Sequence, residues 1–249
     1  MSETPTTRDS RPKLISIINL ALLFLLVVLV ILLINAPPDQ GRIHRRATPH
    51  PLNNLKNLIA STHEYAARRD ERLPSSVFVA SEGSPEFGWV VPLLPYLDYE
   101  SFYNQIDFSK PWDDPANRET TSFYLRLFDN RRIDSLSQEE KRGLLFFAAN
   151  RRIFLSDGHL THDQITDGHA NTIFHGEITN HFAPWAAPGS LRDTAAGIGN
   201  GVDQFGSPGD GILIISYGDG SANTISTDID PEIFRALGTP DGGEEIEIP

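Results

Sequence analysis

The chain has 249 residues, no cysteine and a formal net charge of −12 at pH 7. Without cysteine it has no thiolate metal ligand, thiol nucleophile or disulfide, so an exported domain would depend on its hydrophobic core. Residues 47–249 carry 15 Lys and Arg against 30 Asp and Glu, a net charge of −15, which argues against nucleic acid or an anionic lipid surface as a partner.

The first element is an apolar stretch, residues 14–34, that contains no charged residue. A helix of this length spans roughly 30 Å, which is the thickness of the hydrocarbon core of a bilayer. The stretch is longer than the apolar region of a cleaved signal peptide, and Pro37 and Pro38 follow it instead of a cleavage site. We therefore expect a single-pass membrane protein that contacts the membrane through residues 14–34.

The expected organisation has a cytoplasmic tail, an anchor, a linker and one exported domain. The large domain is placed outside the cytoplasm because long domains are translocated largely regardless of their charge. The expected boundaries are 1–13 for the tail, 14–35 for the transmembrane helix, 36–47 for the linker, 48–245 for the domain and 246–249 for the acidic end of the chain.

The domain is predicted to be α+β, with a long helix packed on an antiparallel β-sheet. The helix is expected to begin near Thr48 and to be ended by Pro74, because apolar residues recur at spacings of three and four between them. Short aromatic and β-branched runs between turn residues predict strands. These runs are 77–79, 87–91, 123–128, 171–178, 211–217 and 222–226.

Four further helical segments are predicted from local signals. Residues 93–97 and 99–106 are interpreted as short helical turns. The pattern from Ser137 to Glu140 is a capping box that predicts a short helix running into Phe147. The last helix is expected to have Asp230 as its N-cap and Pro231 at its first position, and to stop at Gly238.

One seven-residue pattern occurs twice. Asp167-Gly168-His-Ala-Asn171-Thr-Ile is repeated as Asp219-Gly220-Ser-Ala-Asn-Thr-Ile. Asp-Gly favours a turn with a positive-φ glycine, and the residues that follow favour a strand. We interpret the two copies as similar turns that lead into strands of one sheet.

Several of these stretches resemble a bacterial family of exported proteins, the domain-of-unknown-function family 1559, with a prepilin-like N-terminus and a C-terminal H-x9-DG signature. The resemblance covers roughly residues 45–245 and implies a pilin-like fold, but it supplies no catalytic residue. In two places the chain departs from the family: Gly209 stands where the signature His is expected, and a plain anchor replaces the pilin-type leader. The stretches that carry the resemblance are 53–56, 88–97, 103–108, 111–113, Asn117, 165–168, 171–173, 176–177, 219–220 and 237–244.

Five of the eight histidines lie between residues 159 and 181, interleaved with acidic residues. Imidazole and carboxylate groups at short spacing are typical ligands of zinc and other transition metals. The candidate metal ligands are His159, His162, His175 and Glu177, and on a strand the last two would share one face. The alternative is that the histidines are surface loop residues and that Glu177 has a structural role.

No enzyme class is indicated by the sequence. The chain contains no nucleophile elbow, Walker loop or dinucleotide-binding fingerprint, and no EF-hand pattern for calcium. We therefore expect a non-enzymatic, membrane-anchored pilin-like protein without a cofactor, which has a structural or protein-interaction role in the cell envelope. The alternatives are an extracytoplasmic metal- or ligand-binding module that uses the 159–181 histidines and a tethered hydrolase. The residues expected to matter for the fold are Asn53, Asn54, Trp89, Trp112, Asp167, Gly168, Asn171, Glu177, Asp219 and Gly220.

Overall fold

The computed structural model describes residues 50–243, and its longest helix is α1, Pro51–Ala67. The imidazole of His50 caps the helix by accepting a hydrogen bond from the Leu52 N–H at 3.3 Å. Pro51 occupies the first helical position, where a missing N–H costs nothing. The apolar stripe predicted from the sequence is buried at four of its five positions, and Leu52 is half-buried.

Helix α1 ends seven residues before Pro74, where the sequence prediction placed its end. Its last turn is closed by the N–H groups of Arg69 and Glu71, both of which donate to the Ala66 carbonyl. Asp70 and Glu71 have φ values of 53° and 60°, so the chain reverses through a left-handed turn. This turn allows the Leu73 N–H to bond the Leu160 carbonyl at 2.8 Å, a contact between distant segments that local sequence does not reveal.

Nine strands are present in residues 50–243, arranged in three sheets. The largest sheet has five strands in the order β7-β4-β5-β8-β9. The pair β4–β7 is parallel and the other pairs are antiparallel, so the sheet is mixed where a purely antiparallel one was predicted. The strands are β1 (Val77–Val79), β2 (Glu86–Gly88), β3 (Leu144–Leu145), β4 (Phe147–Asn150), β5 (Ile173–Glu177), β6 (Ala183–Pro184), β7 (Leu191–Arg192), β8 (Ile212–Tyr217) and β9 (Ala222–Ser226).

The five-stranded sheet is covered on both faces. Helix α1 packs against β5, β8 and β9. Alternate residues of β8, among them Leu213 and Ile215, join Phe234 and Leu237 in a separate apolar cluster on the opposite face. Phe234 belongs to the last helix, Pro231–Ala236, which begins as predicted at the Asp230 cap. The sheet is therefore the middle layer of the domain.

Two predicted elements are wrong. Residues 123–128 were expected to be a strand, but Arg126–Phe128 is a 3₁₀ helix whose Leu127 N–H donates to the Tyr99 hydroxyl at 3.4 Å. The Ser137 capping box exists, but it closes only one turn, because Gly143 has a φ of 69° and ends it. The residues after Gly143 form strands β3 and β4 instead of a helix.

The remaining described helices are short. Helix α2, Glu100–Tyr103, and the 3₁₀ helix Val91–Leu97 correspond to the two predicted helical turns. Helix α3, Pro115–Thr121, was not predicted, although Asp114 and Pro115 are the same cap signal that marks α4 (Pro231–Ala236). The other 3₁₀ turns are His162–Gln164, His169–Asn171 and Thr194–Ala196.

The described part of the chain is therefore an α+β domain. None of its helices, within residues 50–243, is long and apolar enough to cross a membrane. The predicted tail, transmembrane helix and linker at 1–47, and the acidic end of the chain at 246–249, lie outside the described residues.

Candidate functional site

The predicted metal ligand Glu177 lies at the end of β5 and is fully buried. Its carboxylate accepts hydrogen bonds from the Asn130 side chain at 2.7 Å and from the Ile214 N–H at 2.9 Å, and it forms an ion pair with Arg132. Burial raises the pKa of Glu177, and the three donors oppose that rise. Because its two oxygens already have these partners, Glu177 connects the 130–132 loop to the sheet instead of offering a free ligand.

His175 lies on the same strand and is also fully buried. Its ring stacks on Trp89 with centroids 5.1 Å apart, and its Nδ1 lies 2.9 Å from the Ser216 hydroxyl. Its Nε2 is buried and has no hydrogen-bond partner among the described residues. Burial lowers the pKa of His175 to about 3, so the ring is neutral at physiological pH.

A strand irregularity explains how His175 enters this aromatic environment. The pairing of β5 with β8 shifts between Ile173 and His175. Such a bulge breaks the alternation of side chains, so the adjacent residues Phe174 and His175 can contact the same neighbour. Their ring centroids lie 6.3 Å and 5.1 Å from that of Phe154.

His159 and His162 lie in a loop that packs beside the end of α1. The Nδ1 of His159 is 2.8 Å from the Leu73 carbonyl. His162 contacts the Glu71 carboxylate and His63. The four candidate ligands are therefore used in separate contacts. Within residues 50–243 no group of three or more His, Cys, Asp or Glu side chains is arranged to hold a metal ion.

His63 is a site residue that sequence reasoning missed. It lies on α1, nearly 100 residues before the histidine-rich segment, so spacing along the chain did not connect the two. The only available signal was its position four residues after Ile59 on the buried stripe, where a helix places both side chains on one face. Burial first, and then the neighbouring His162 and His169, lower the pKa of His63.

The other predicted residues have structural contacts, with two exceptions. Asn54 is buried and its side chain donates to the Asp129 carbonyl at 2.9 Å, and Trp89 is buried. Asn53 is exposed on α1, and its side chain forms no hydrogen bond with another residue of 50–243. Trp112 was expected to matter for the fold, as a core residue, but it is only half-buried and lies in the turn that precedes α3.

The repeated pattern forms two turns of similar geometry with different contacts. Gly168 and Gly220 have φ values of 91° and 89°, and their turns precede β5 and β9, which belong to the same sheet. The Asp167 carboxylate accepts from the N–H groups of Gly242 and Gly243 at 2.7 and 2.8 Å. The Asp219 carboxylate accepts within its own turn, from the Ser221 N–H at 2.9 Å. Asn171 bonds the Asp167 carbonyl with its side chain.

An open groove of about 890 Å³ lies beside the end of α1. Tyr65 and Tyr103 contribute to its apolar part, and the free hairpin strand β1 forms one side. Three arginines and three acidic residues give it a polar, mixed-charge lining. They are Arg68, Arg69, Arg72, Asp70, Glu86 and Asp157.

Two of the groove arginines are held in place by neighbours. The guanidinium of Arg69 lies 4.0 Å from the centre of the Tyr65 ring and donates to the Tyr96 hydroxyl at 3.1 Å. Arg68 pairs with Glu64 at 3.2 Å. Arg72 is exposed and forms no ion pair with another described residue. Of the three arginines in the groove, Arg68 and Arg69 therefore contact neighbouring side chains, and Arg72 is available to a ligand.

Comparison with known proteins agrees with the resemblance drawn from the sequence. Residues 51–126 match the model of a family described as a protein of unknown function (DUF1559). The match supports the resemblance of the chain to DUF1559 over these residues. The matched region runs from the start of α1 through the hairpin β1–β2 to the 3₁₀ helix at 126–128, so it includes most of the groove lining. Neither a curated protein nor a solved structure matches the chain.

Proposed function

We propose that the protein is a single-pass, membrane-anchored exported protein whose pilin-like domain binds a partner in the cell envelope and is not an enzyme. The anchor would be residues 14–35, and the domain would lie outside the cytoplasm. The apolar stretch 14–34 and the long helix packed on a sheet support this proposal. Residues 51–126, which match DUF1559, a family of unknown function, include most of the residues that line the groove.

The observation that carries the binding role is the groove, because its polar groups are exposed and those of the core are not. Glu177 and the ion pair of Lys141 with Asp129 are buried and each bonded to neighbours. Arg72 and Val79 both line the groove and are exposed, and the exposed fraction of Val79, 44%, is large for an apolar residue. Such a surface suits an extended protein segment of the partner. Apolar residues of that segment would contact Val79, and its carboxylates would pair with Arg72.

Site-specific photo-crosslinking in intact cells tests the binding role. We expect a photoreactive amino acid at position 79 to give one adduct of defined mass, and the same group at Val202 to give none. Val202 is a matched control because it is exposed to 59% and does not line the groove. Arg72→Glu should remove the adduct, and Arg131→Glu, another exposed arginine, should leave it. Equal crosslinking from positions 79 and 202 would contradict the proposal.

The membrane topology can be tested separately because the chain contains no cysteine. A membrane-impermeant maleimide should label Ser135→Cys in intact cells, since residue 135 is exposed in the domain. It should label Ser10→Cys only after the membrane is permeabilised. The reverse pattern would place the domain in the cytoplasm and would contradict the export part of the proposal without affecting the groove.

A further inference from the structure

The hairpin β1–β2 has one long edge that no other strand of residues 50–243 covers. Strand β1 pairs with β2 alone, and the two form a separate two-stranded sheet. Residues 77–79 of β1 also line the groove. An uncovered edge strand carries backbone N–H and C=O groups that can pair with another chain.

Two N–H groups at the end of the hairpin are not used between its strands. Gly88 is the residue opposite Val77. The Gly88 N–H donates to the Ala186 carbonyl at 2.9 Å. The Val77 N–H donates to the Ser75 hydroxyl at 3.2 Å. Val77 and Gly88 are therefore a pair of opposite residues that do not exchange backbone hydrogen bonds.

The direction of the remaining backbone groups follows from this pair. Bonded and non-bonded pairs alternate along an antiparallel ladder, so the central pair, Phe78 and Phe87, exchanges the hydrogen bonds of the hairpin. The N–H and C=O groups of Val77 and Val79 are then directed away from β2. They form the open edge of the hairpin.

The Ser75 hydroxyl takes the place of a strand partner at Val77. It accepts from the Val77 N–H and donates to the Val77 carbonyl. These are the two bonds that an opposite residue on a third strand would form. Val79 has no such cover, since no loop or turn backbone group of residues 50–243 bonds to it.

The open edge is held in place by the other side of the hairpin. The rings of Phe78 and Phe87 lie 5.8 Å and 5.2 Å from that of Phe108 between centroids, both in edge-to-face contact. The Ser76 N–H donates to the Leu155 carbonyl at 2.9 Å, which fixes the start of β1. A partner therefore meets an edge that is already ordered, which lowers the entropic cost of binding.

We propose that the partner binds as a third strand beside β1, through backbone hydrogen bonds to Val79 and, in exchange for the Ser75 hydroxyl, to Val77. This inference rests on the proposed binding role of the groove and specifies the partner as an extended, strand-forming segment. In strand addition the main chain provides affinity and the side chains provide specificity. The exposed guanidinium of Arg72 selects a segment that carries a carboxylate.

Photo-crosslinking from the far wall of the groove tests the backbone contact in the full-length protein in intact cells. The photoreactive amino acid replaces Ser156, which is exposed and lines the groove outside β1. Val79→Pro should lower the adduct yield about fivefold or more, because proline has no N–H and its ring fills the place of a strand partner. The hairpin should persist, since proline is tolerated where the N–H faces away from the sheet. Val79→Ile is the matched control, because it keeps the N–H and an apolar β-branched side chain, and it should retain the adduct.

Hydrogen exchange of the purified adduct is a second measurement that needs no change in β1. In the adduct formed from position 156, the Val79 amide should exchange at least about tenfold more slowly than in the free protein. The Val202 amide should be unchanged, because Val202 is exposed and lies outside the groove. Melting curves of Val79→Pro and Val79→Ile would show that both variants are folded.

The outcomes separate this inference from the binding role of the groove. An undiminished adduct in folded Val79→Pro, or unchanged exchange at Val79 in the adduct, would overturn strand addition and leave the groove as a binding surface. No adduct from position 156 in otherwise unmodified protein would contradict the binding role itself, and strand addition with it.

Discussion

The side-chain amide of Asn130 donates a hydrogen bond to Oε1 of Glu177 at 2.7 Å, across 47 residues of the chain. The other carboxylate oxygen of Glu177 accepts from the Ile214 N–H and pairs with Arg132, which also contacts Asp210. One buried acid therefore joins the 130–132 loop to two adjacent strands of the central sheet. Its contribution to stability comes from the donors that would be left without a partner if it were removed.

We expect Glu177→Ala to lower the free energy of unfolding by about 3–5 kcal/mol, because it removes the acceptor of two buried donors, the Asn130 amide and the Ile214 N–H, and one of the two carboxylate partners of Arg132. Urea denaturation followed by circular dichroism measures this loss. Glu139→Ala is the control, since the Glu139–Arg142 pair is exposed and should contribute less than about 1 kcal/mol. Equal losses in the two variants would show that the Glu177 network is not a stabilising connection.

The buried ion pair between Lys141 and Asp129 should show strong energetic coupling. The two groups are 2.9 Å apart, and the Tyr124 hydroxyl donates to the other Asp129 oxygen at 2.8 Å. Burial, followed by the bond to Asp129, raises the pKa of Tyr124. We expect Lys141→Met to cost about 3–5 kcal/mol because it strands a buried carboxylate.

A double-mutant cycle separates this coupling from the loss of packing. Lys141→Met combined with Asp129→Asn should be less destabilised than the sum of the single variants by more than about 1 kcal/mol, because the second change removes the stranded charge. Strict additivity, measured by the same denaturation curves, would mean that the pair acts as two independent side chains.

His175 should make the stability of the domain depend on pH. Its pKa is lowered to about 3 in the folded state from 6.5, so between these values the unfolded chain binds more protons. Above pH 6.5 the ring is neutral in both states and His175 does not make the free energy of unfolding depend on pH. As the pH falls from 6.5 toward 3, His175 lowers the free energy of unfolding by at most about 1.4 kcal/mol per pH unit.

The pH dependence of His175→Phe isolates this effect. Between pH 7.5 and 4.5 the free energy of unfolding of the variant should fall less steeply than that of the unmodified protein, because one proton uptake is removed. His181→Gln serves as the control, since His181 is exposed, and it should retain the original slope. A slope that is identical in all three proteins would contradict a buried neutral His175.

The two copies of the repeated turn should differ in what they stabilise. Asp167 receives hydrogen bonds from Gly242, Gly243 and the Thr239 hydroxyl, so Asp167→Ala should increase amide exchange in residues 239–243 by at least about tenfold, the equivalent of 1.4 kcal/mol. Asp219→Ala should affect only its own turn, through the Ser221 N–H. Hydrogen exchange followed by mass spectrometry of peptides from 164–172, 216–224 and 238–243 distinguishes the two. Unchanged exchange at 238–243 in Asp167→Ala would show that Asp167 does not hold that segment.

Local signals predicted the elements whose causes are local. Asp230 and Pro231 define the start of the last helix because a cap and a fixed φ act within three residues. The strand at 222–226 was predicted at its observed boundaries, and the Asp-Gly pairs indicated the positive-φ turns at Gly168 and Gly220. The resemblance to DUF1559 was likewise visible in short motifs and is confirmed over residues 51–126.

Tertiary contacts decided the elements that sequence patterns misplaced. The aromatic run at 123–128 has strand-like composition, but its residues pack against Tyr99 and Trp185 and pair with no strand in the described part of the chain. The segment 144–150 has helix-compatible composition, but it pairs with β6 and β5 after Gly143 reverses the chain. The sequence pattern of a short apolar run does not distinguish a strand from a helical turn, because either structure can bury the run equally well.

Local sequence patterns were enough to predict the α+β class, the caps and turns, the strands that follow them and the concentration of histidines at 159–181, because each depends on residues that are neighbours in the chain. Only the tertiary structure showed that His175 and Glu177 are buried within the sheet layer and that His162 instead faces His63 and Glu71 from α1. The contacts of His162 with His63 and Glu71 are distances between side chains of residues that lie 99 and 91 positions apart in the chain. Such distances are fixed by the packing of α1 on the sheet, which depends on the whole core.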